Sequence, residues 1–289
     1  MRIAPLPITV AYNKRPPDNE APQSGNATAD MNDNVAPLLS VRDVSMRFGG
    51  VLALDAVGFD VAAGQIAGLI GPNGAGKTTL FNCLSRLYEP SAGEIRFAGH
   101  SVLALPRHRI PSIGIGRTFQ NVALFDRLTV LENVMVGRHS RTQSGFLANA
   151  LRIPSVGKEE ASVRRRALEL IDFMNLGDVT NRVAGGLPFP IRKRVELARA
   201  LAAEPKLLLL DEPAAGLNHE ELQTLETQIR RVRDLQGITV LLVEHHMSLV
   251  MSVSDKVIVV NFGRKIADGT PDEVRQNPDV IQAYLGTPA

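Results

Sequence analysis

The chain has 289 residues, of which 44% are hydrophobic and 21% charged, and these proportions exclude wholesale disorder and a fibrous repeat. Its 32 lysines and arginines against 30 acidic residues give a formal net charge of +2, which is too small to indicate a nucleic-acid partner. The single cysteine excludes an internal disulfide and a cysteine-rich metal site, and it favours a reducing compartment.

The N-terminal segment differs in composition from the rest of the chain. Residues 1–37 contain scattered prolines among small polar residues and have no sustained apolar period, so we expect a disordered leader. Met31 stands close before the first strand-like run and is a candidate start of translation. The first ten residues match a secretory signal poorly, and no run approaches the roughly 18 to 20 apolar residues of a membrane span.

Short apolar or alternating runs predict a series of β-strands. The runs are residues 38–48, 57–61, 66–70, 207–210, 238–243 and 256–261. Helical periodicity follows residue 77, and it returns where five apolar residues share one face: Val163, Ala167, Leu170, Ile171 and Met174. This alternation of strands and helices predicts a mainly parallel sheet covered by helices.

Two short helices are predicted at the C-terminal end. Thr270, Pro271 and Glu273 form a capping-box pattern with proline at the first helical position. Asn277 followed by Pro278 repeats the start signal, so a second helix is expected there.

A phosphate-binding loop is predicted at residues 71–78, which fit the pattern of Gly, four residues, Gly, Lys and Ser or Thr. An apolar run precedes this segment and a helix-like run follows it, whereas the alternative is a glycine-rich structural turn. The glycines let backbone N–H groups converge on phosphate oxygens, and the helix start adds a favourable dipole. The predicted loop contacts are Gly71, Pro72, Asn73, Gly74, Ala75 and Gly76.

The residues that follow these glycines carry specific expectations. Lys77 is expected to reach the β- and γ-phosphates, and Thr78 to offer its hydroxyl to Mg²⁺. Thr79 adds a further phosphate contact. The segment therefore predicts a magnesium nucleotide.

Two carboxylates end the apolar run at residues 207–210. Asp211 is expected to hold Mg²⁺ directly or through water, and Glu212 to polarise the water that attacks the γ-phosphate. Such a pair alone is as often a cap or an ion pair. Its occurrence together with a phosphate loop favours catalysis.

With these motifs in this order, residues 38–286 resemble the ATP-binding cassette (ABC) family. The resemblance implies an α/β P-loop NTPase of ABC type with a mainly parallel core sheet, an antiparallel N-terminal β-subdomain and an inserted helical subdomain. The implied domain covers residues 38–289, with its core at 38–120 and 205–262, the helical subdomain at 121–204 and a C-terminal segment at 263–289.

The resemblance also assigns three residues outside the motifs above. Phe48 matches the aromatic residue that stacks on adenine, and Gln120 matches the glutamine that senses Mg²⁺ and contacts the transporter. His245 matches the switch histidine near the γ-phosphate. Alone, each of these residue types is more often part of the core, the surface or a structural contact. Their order and their spacing relative to Lys77 and Glu212 favour the functional roles.

Four segments narrow the resemblance to the branched-chain amino acid importers: residues 116–121, 128–134, 211–218 and 281–286. The long insertion is similar to that of the larger of their two ATPase subunits. The resemblance implies a peripheral ATPase at the cytoplasmic face of the inner membrane that uses ATP and Mg²⁺ to import branched-chain amino acids or related small solutes. The implied partners are a second, sister ATPase subunit, two transmembrane permease subunits and, indirectly, an extracytoplasmic solute-binding protein.

The chain departs from the family at the signature motif. Most members have Leu-Ser-Gly-Gly-Gln there, and the Ser hydroxyl and second Gly N–H bind the γ-phosphate held by the opposite subunit. This chain has Leu187, Pro188, Phe189, Pro190 and Ile191. Pro188 has no hydroxyl and Pro190 has no N–H.

If Pro190 lies in the first turn of the following helix, the N–H groups of Ile191 and Arg192 are expected to face phosphate. The hypothesis is that the composite site formed by this signature and the partner's phosphate loop hydrolyses ATP slowly. The alternative is a tolerated variant with full activity.

Two rival functions would also use a nucleotide-binding site of this kind. A soluble ABC ATPase acting on DNA or ribosomes is opposed by the near-neutral charge, the absence of a long heptad stretch and the 4% aromatic content, so we expect no nucleic-acid partner. A regulatory module without turnover is opposed by the presence of Lys77, Asp211, Glu212 and His245.

Overall fold

The computed structural model describes residues 36–119, 122–139 and 154–285. The predicted leader up to residue 35 and the predicted ligand Gln120 therefore lie outside the described residues.

Four strands near the N-terminus form an antiparallel sheet. They are β1 (Leu39–Phe48), β2 (Val51–Val61), β4 (Ala92–Phe97) and β5 (His100–Ser101), in the spatial order β2-β1-β4-β5. Alternate side chains of β1 and β2 are buried along much of their length, as expected for a sheet with one face on the core. This sheet confirms the implied antiparallel β-subdomain.

A second, six-stranded sheet forms the centre of the domain. Its strands are β3 (Ile66–Ile70), β6 (Ile115–Arg117), β7 (Leu207–Asp211), β8 (Thr239–Val243), β9 (Lys256–Asn261) and β10 (Arg264–Gly269), in the spatial order β10-β9-β3-β8-β7-β6. All pairs are parallel except β9 with β10, which confirms the predicted mainly parallel sheet. Because the carboxyl ends of parallel strands meet at one edge, the loops after β3, β7 and β8 open on the same edge.

Among the described residues, four strands were missed by the sequence patterns. β5 and β6 are two and three residues long, too short to establish an alternation. β4 and β10 lie at or near sheet edges and carry exposed charged residues.

Helices cover both sheets. They are α1 (Lys77–Leu84), α2 (Ile110–Ile113), α3 (Val130–Gly137), α4 (Pro154–Phe173), α5 (Phe189–Ala202), α6 (His219–Gln236), α7 (Met247–Val253), α8 (Pro271–Gln276) and α9 (Pro278–Leu285). We call α3, α4 and α5 the helical arm, because they pack against one another between β6 and β7 in sequence. The five apolar residues predicted to share a face of α4 or its C-terminal continuation are all buried.

The closing helices have the predicted starts. The Thr270 hydroxyl accepts a hydrogen bond from the Glu273 N–H, and the Glu273 carboxylate accepts one from the Thr270 N–H, which completes the capping box of α8. α9 begins at Pro278, as the second start signal predicted.

The hydrophobic core lies on both faces of the central sheet. Along β3, Ile66 and Ile70 face a cluster built with the helical arm, α6 and α7. Ala67 and Leu69 face the opposite cluster, which is built with the antiparallel sheet and α1. Within the part of the chain that the structure describes, no helix is both long and apolar enough to cross a bilayer.

Candidate active site

The phosphate loop connects the buried strand β3 to α1, and its backbone requires glycine. Gly71, Gly74 and Gly76 have φ angles of 154°, 78° and 103°, which ordinary residues rarely adopt. A Cβ atom on Gly71 would collide with the Val260 carbonyl oxygen, and one on Gly76 would lie 2.6 Å from the Ala53 carbonyl oxygen. The loop is thus pressed against neighbouring backbone, which fixes the direction of its N–H groups.

Lys77 lies in the floor of this loop with only 5% of its surface exposed. Its Nζ donates hydrogen bonds to the carbonyl oxygens of Gly71 (2.7 Å) and Pro72 (2.9 Å). Burial lowers the pKa of Lys77, and the negative charge of Glu212 opposes that shift. Thr78 is exposed at the start of α1, where its hydroxyl can reach a ligand.

Asp211 ends β7 with 4% of its surface exposed, and a buried arginine holds its carboxylate. Arg117 Nη2 donates to Asp211 Oδ2 at 2.8 Å. Arg117 Nη1 donates to Asn82 Oδ1 at 2.9 Å and to Ser85 Oγ at 2.5 Å, both at the C-terminal end of α1. Arg117 therefore ties the acidic strand end to the helix that carries the phosphate loop. Arg117 was noted in sequence only as part of the segment 116–121, and its role was not predicted because its partner Asp211 is distant in sequence.

Glu212 has a left-handed backbone conformation, with a φ of 46°. This conformation costs a residue other than glycine about 1 to 2 kcal/mol and is often found at functional sites. Hydrogen bonds hold this backbone: the Glu212 N–H donates to the Val243 carbonyl at 2.9 Å, and the Glu212 carbonyl accepts from Lys193 Nζ at 3.1 Å and from the Ala215 N–H at 3.2 Å. Its Oε1 lies 2.8 Å from Nε2 of His245. The structure thus brings together two side chains predicted to act on the γ-phosphate.

Phe48 lies at the end of β1 with 43% of its surface exposed, which leaves its ring accessible to a flat ligand. The ring packs edge-to-face on Tyr88, with centroids 5.3 Å apart and an interplanar angle of 75°. Tyr88 was missed from sequence because it lies 40 residues from Phe48 with no linking pattern.

The signature segment begins the last helix of the arm. Pro188 is the N-cap residue of α5, Phe189 is its first residue, and Pro190 lies in the first turn as predicted. Leu187 is buried.

The prediction for Arg192 is wrong. Because α5 already begins at Phe189, the Arg192 N–H makes an ordinary helical hydrogen bond of 3.0 Å to the Pro188 carbonyl and does not face outward. The backbone N–H groups left in the first turn belong to Phe189 and Ile191. The Phe189 ring also packs on Gly216, where an added Cβ would lie 3.1 Å from it.

The C-terminal helix reaches the phosphate loop, a contact that no sequence pattern indicates. Burial raises the pKa of the Tyr284 hydroxyl to about 12, and a hydrogen bond with the Gly71 backbone opposes that shift. The Gly71 carbonyl in turn accepts from Lys77.

The oxygen groups at this edge fit Mg²⁺. Thr78 offers a hydroxyl and Asp211 a carboxylate, the hard oxygen ligands that this ion prefers. Among the described residues, no cluster of three or more acidic, histidine or cysteine side chains could hold a metal. Mg²⁺ does not require such a cluster, because it usually keeps several waters and binds substrate phosphates.

The glycine loop over a buried lysine, with an acidic strand end beside it, defines the class of this protein as a phosphate-loop ATPase. The chain belongs to the ABC transporter family. The family model described as ABC transporter matches residues 54–215, and the model described as Branched-chain amino acid ATP-binding cassette transporter matches residues 264–289.

Curated relatives and solved structures agree with this assignment. The high-affinity branched-chain amino acid transport ATP-binding protein BraF of Pseudomonas aeruginosa is 46% identical over 250 residues, which cover 86% of this chain and 98% of the relative. LivG of Escherichia coli, described in the same words, is 44% identical with the same coverage. The ADP conformation of MJ1267, an ATP-binding cassette of an ABC transporter, superposes with a TM-score of 0.75 at 30% identity, over 87% of this chain and all of that one.

These comparisons confirm the resemblance, the ABC fold class and the assignment as an ABC transporter ATPase that binds ATP.

Proposed function

We propose that this chain is the ATP-hydrolysing subunit of an importer of branched-chain amino acids, bound peripherally to the cytoplasmic face of the inner membrane. Support for the solute class comes from relatives named for branched-chain amino acid transport, which this chain covers almost completely. The match of residues 264–289 to the branched-chain amino acid cassette model supports the same class. The 2.8 Å contact between Glu212 and His245 carries the case for turnover rather than binding alone.

The proposed chemistry follows from the groups at the sheet edge. When nucleotide binds, Lys77 exchanges its two loop carbonyls for phosphate oxygens, and the loop N–H groups hold the remaining charge. Thr78 and Asp211, together with the predicted ligand Gln120, would hold Mg²⁺, which would supply positive charge against the phosphates. Glu212 orients the attacking water and accepts its proton, while His245 keeps the Glu212 carboxylate in place.

The proposed permease contact is a groove between the central sheet and the helical arm. Exposed apolar side chains line it, including Leu87, Phe119, Phe125 and Val136, and its volume is about 450 Å³. Arg107 and Arg199 also line the groove. A short cytoplasmic helix of the permease with apolar anchors and flanking acidic residues would fit this combination.

The second proposed partner is a sister ATPase subunit. ATP bound between the two would favour their closure, because each γ-phosphate contacts both subunits, and hydrolysis would reopen them. Pro190 removes an N–H from the signature that faces the partner's nucleotide, so we propose that this composite site turns over slowly. In the assembled transporter, Pro190→Gly is expected to raise ATPase activity several-fold, and unchanged activity would contradict a weakened site.

The solute class is tested by ATPase stimulation. The assembled transporter is expected to hydrolyse ATP several-fold faster with a leucine-loaded solute-binding protein than with the unloaded one. A lack of stimulation by any branched-chain amino acid, together with stimulation by duplex DNA or ribosomes, would favour the soluble ATPase instead.

A further inference from the structure

A buried carboxylate lies directly behind the proposed catalytic pair. Glu244 follows β8 and has 1% of its surface exposed. Its Oε1 accepts a hydrogen bond from the Ala214 N–H at 2.6 Å, and its Oε2 accepts from the N–H groups of His245 (2.9 Å) and His246 (3.2 Å). A buried carboxylate is costly unless hydrogen bonds satisfy it, and three backbone donors do so here.

The donors belong to two different loops. Ala214 lies two residues after Glu212, in the loop that follows β7. His245 lies in the loop that follows β8. The two oxygens of Glu244 therefore join the backbones of the two loops that carry the Glu212–His245 contact.

A cation from the helical arm completes this arrangement. Lys193 of α5 donates from Nζ to the Glu212 carbonyl at 3.1 Å. Burial lowers the pKa of Lys193, and the negative charges of Glu196, Glu244 and Glu212 oppose that shift. Glu244 thus has a positive charge nearby.

We propose that Glu244 is a positioning residue for ATP hydrolysis: it holds the loops after β7 and β8 in one register, so that Glu212 Oε1 and His245 Nε2 stay in contact. Glu244 is buried with its oxygens bound to backbone N–H groups, so it acts through the pair. The inference rests on the proposed roles of Glu212 and His245 in turnover.

The substitution Glu244→Gln tests this role with almost no change in size. Glutamine has one acceptor oxygen, so it can accept hydrogen bonds from the Ala214 N–H or from the histidine N–H groups, but not from both. Its NH₂ group then faces an N–H donor and cannot accept from it. In the assembled transporter we expect kcat for ATP to fall about ten-fold, with KM for ATP and affinity for ADP changed less than about two-fold. A merely structural defect would lower nucleotide affinity and the melting temperature together with kcat.

The matched control is Glu226→Gln on α6. Glu226 makes a partly exposed ion pair with Arg230 at 2.9 Å, away from the pair, so kcat should not change. If Glu244→Gln does not fold, Glu244→Asp is the second variant. It keeps the charge but shortens the side chain, so kcat should lie between the wild-type value and the roughly ten-fold reduction expected for Glu244→Gln.

A double-variant comparison tests whether Glu244 acts through the pair. If it does, Glu244→Gln in a His245→Ala background should lower kcat by less than about two-fold further. A further fall of about ten-fold, or an unchanged kcat in the single Glu244→Gln variant, would overturn the proposal. Full activity of Glu212→Gln would instead contradict the proposed function, so the two failures are distinguishable.

Discussion

Arg117 illustrates how a residue with no predicted role of its own can fix the carboxylate of a predicted site residue. Its guanidinium joins Asp211 to Asn82 and Ser85. The same guanidinium lies over the aromatic rings of Phe81 and Phe119. Both partners of the Arg117–Asp211 pair are buried, so the pair has little access to water. Removing one member leaves the other charge without compensation.

Arg117→Met is therefore expected to lower the free energy of unfolding by about 3 to 5 kcal/mol, because Asp211 keeps a buried charge without its partner. Urea denaturation of the full chain measures this change. The double variant Arg117→Met/Asp211→Asn should recover part of the loss, since it removes the uncompensated charge. If the single variant lost less than about 1 kcal/mol, the pair would not have the role inferred from its burial.

At the level of elements, the C-terminal helix α9 and the phosphate loop are connected through Tyr284 and Gly71. Val280 of the same helix is buried in the core cluster on the side of the helical arm. The loop is thus supported by a segment more than 200 residues later in the chain, within the part that matches the branched-chain amino acid cassette model.

Tyr284→Phe removes only the hydroxyl that contacts the loop. Loss of one hydrogen bond of about 0.5 to 1.5 kcal/mol is expected to weaken ATP affinity roughly two- to ten-fold. Calorimetry with MgATP measures this, and Gln276→Ala, an exposed position in α8, is the control. Equal affinities for the wild type and Tyr284→Phe would mean that α9 does not support the loop.

Particular elements explain what the sequence could and could not predict. β3 and β7 to β9 were predicted because a buried parallel strand is a short apolar run, and the phosphate loop because its glycines have a fixed spacing. The roles of Arg117, Glu244 and Tyr284 were not predicted. Each depends on a residue distant in sequence, as with Arg117 and Asp211, which lie 94 positions apart.

For the whole molecule, burial of two ionisable groups makes the free energy of unfolding depend on pH in the alkaline range. Cys83 is fully buried in the core cluster beside the antiparallel sheet, and burial raises the pKa of its thiol to about 11 from an ordinary value near 9. Burial likewise raises the pKa of Tyr284 to about 12. The folded state therefore holds both protons at pH values where the unfolded chain releases them.

Below about pH 9, these two groups should therefore not change the free energy of unfolding. Above that pH, the free energy of unfolding should fall as the pH rises towards the folded-state pKa values of about 11 and about 12. Denaturant titrations between pH 8 and pH 11.5 measure this fall, and Cys83→Ala should make it shallower. The native thiol should also resist alkylation at pH 8 and react only on unfolding. Rapid alkylation of the native protein would contradict the burial of Cys83.

In the proposed function, Glu212 activates the water that cleaves ATP held on the phosphate loop, and this turnover drives solute uptake. The decisive experiment is leucine uptake into proteoliposomes that contain the assembled transporter, with MgATP on the side of this subunit and loaded solute-binding protein on the other. For Glu212→Gln we expect ATP affinity to be retained and uptake to fall at least about a hundred-fold, because the group that activates water is lost. Uptake by Glu212→Gln at the wild-type rate would show that Glu212 does not activate the attacking water.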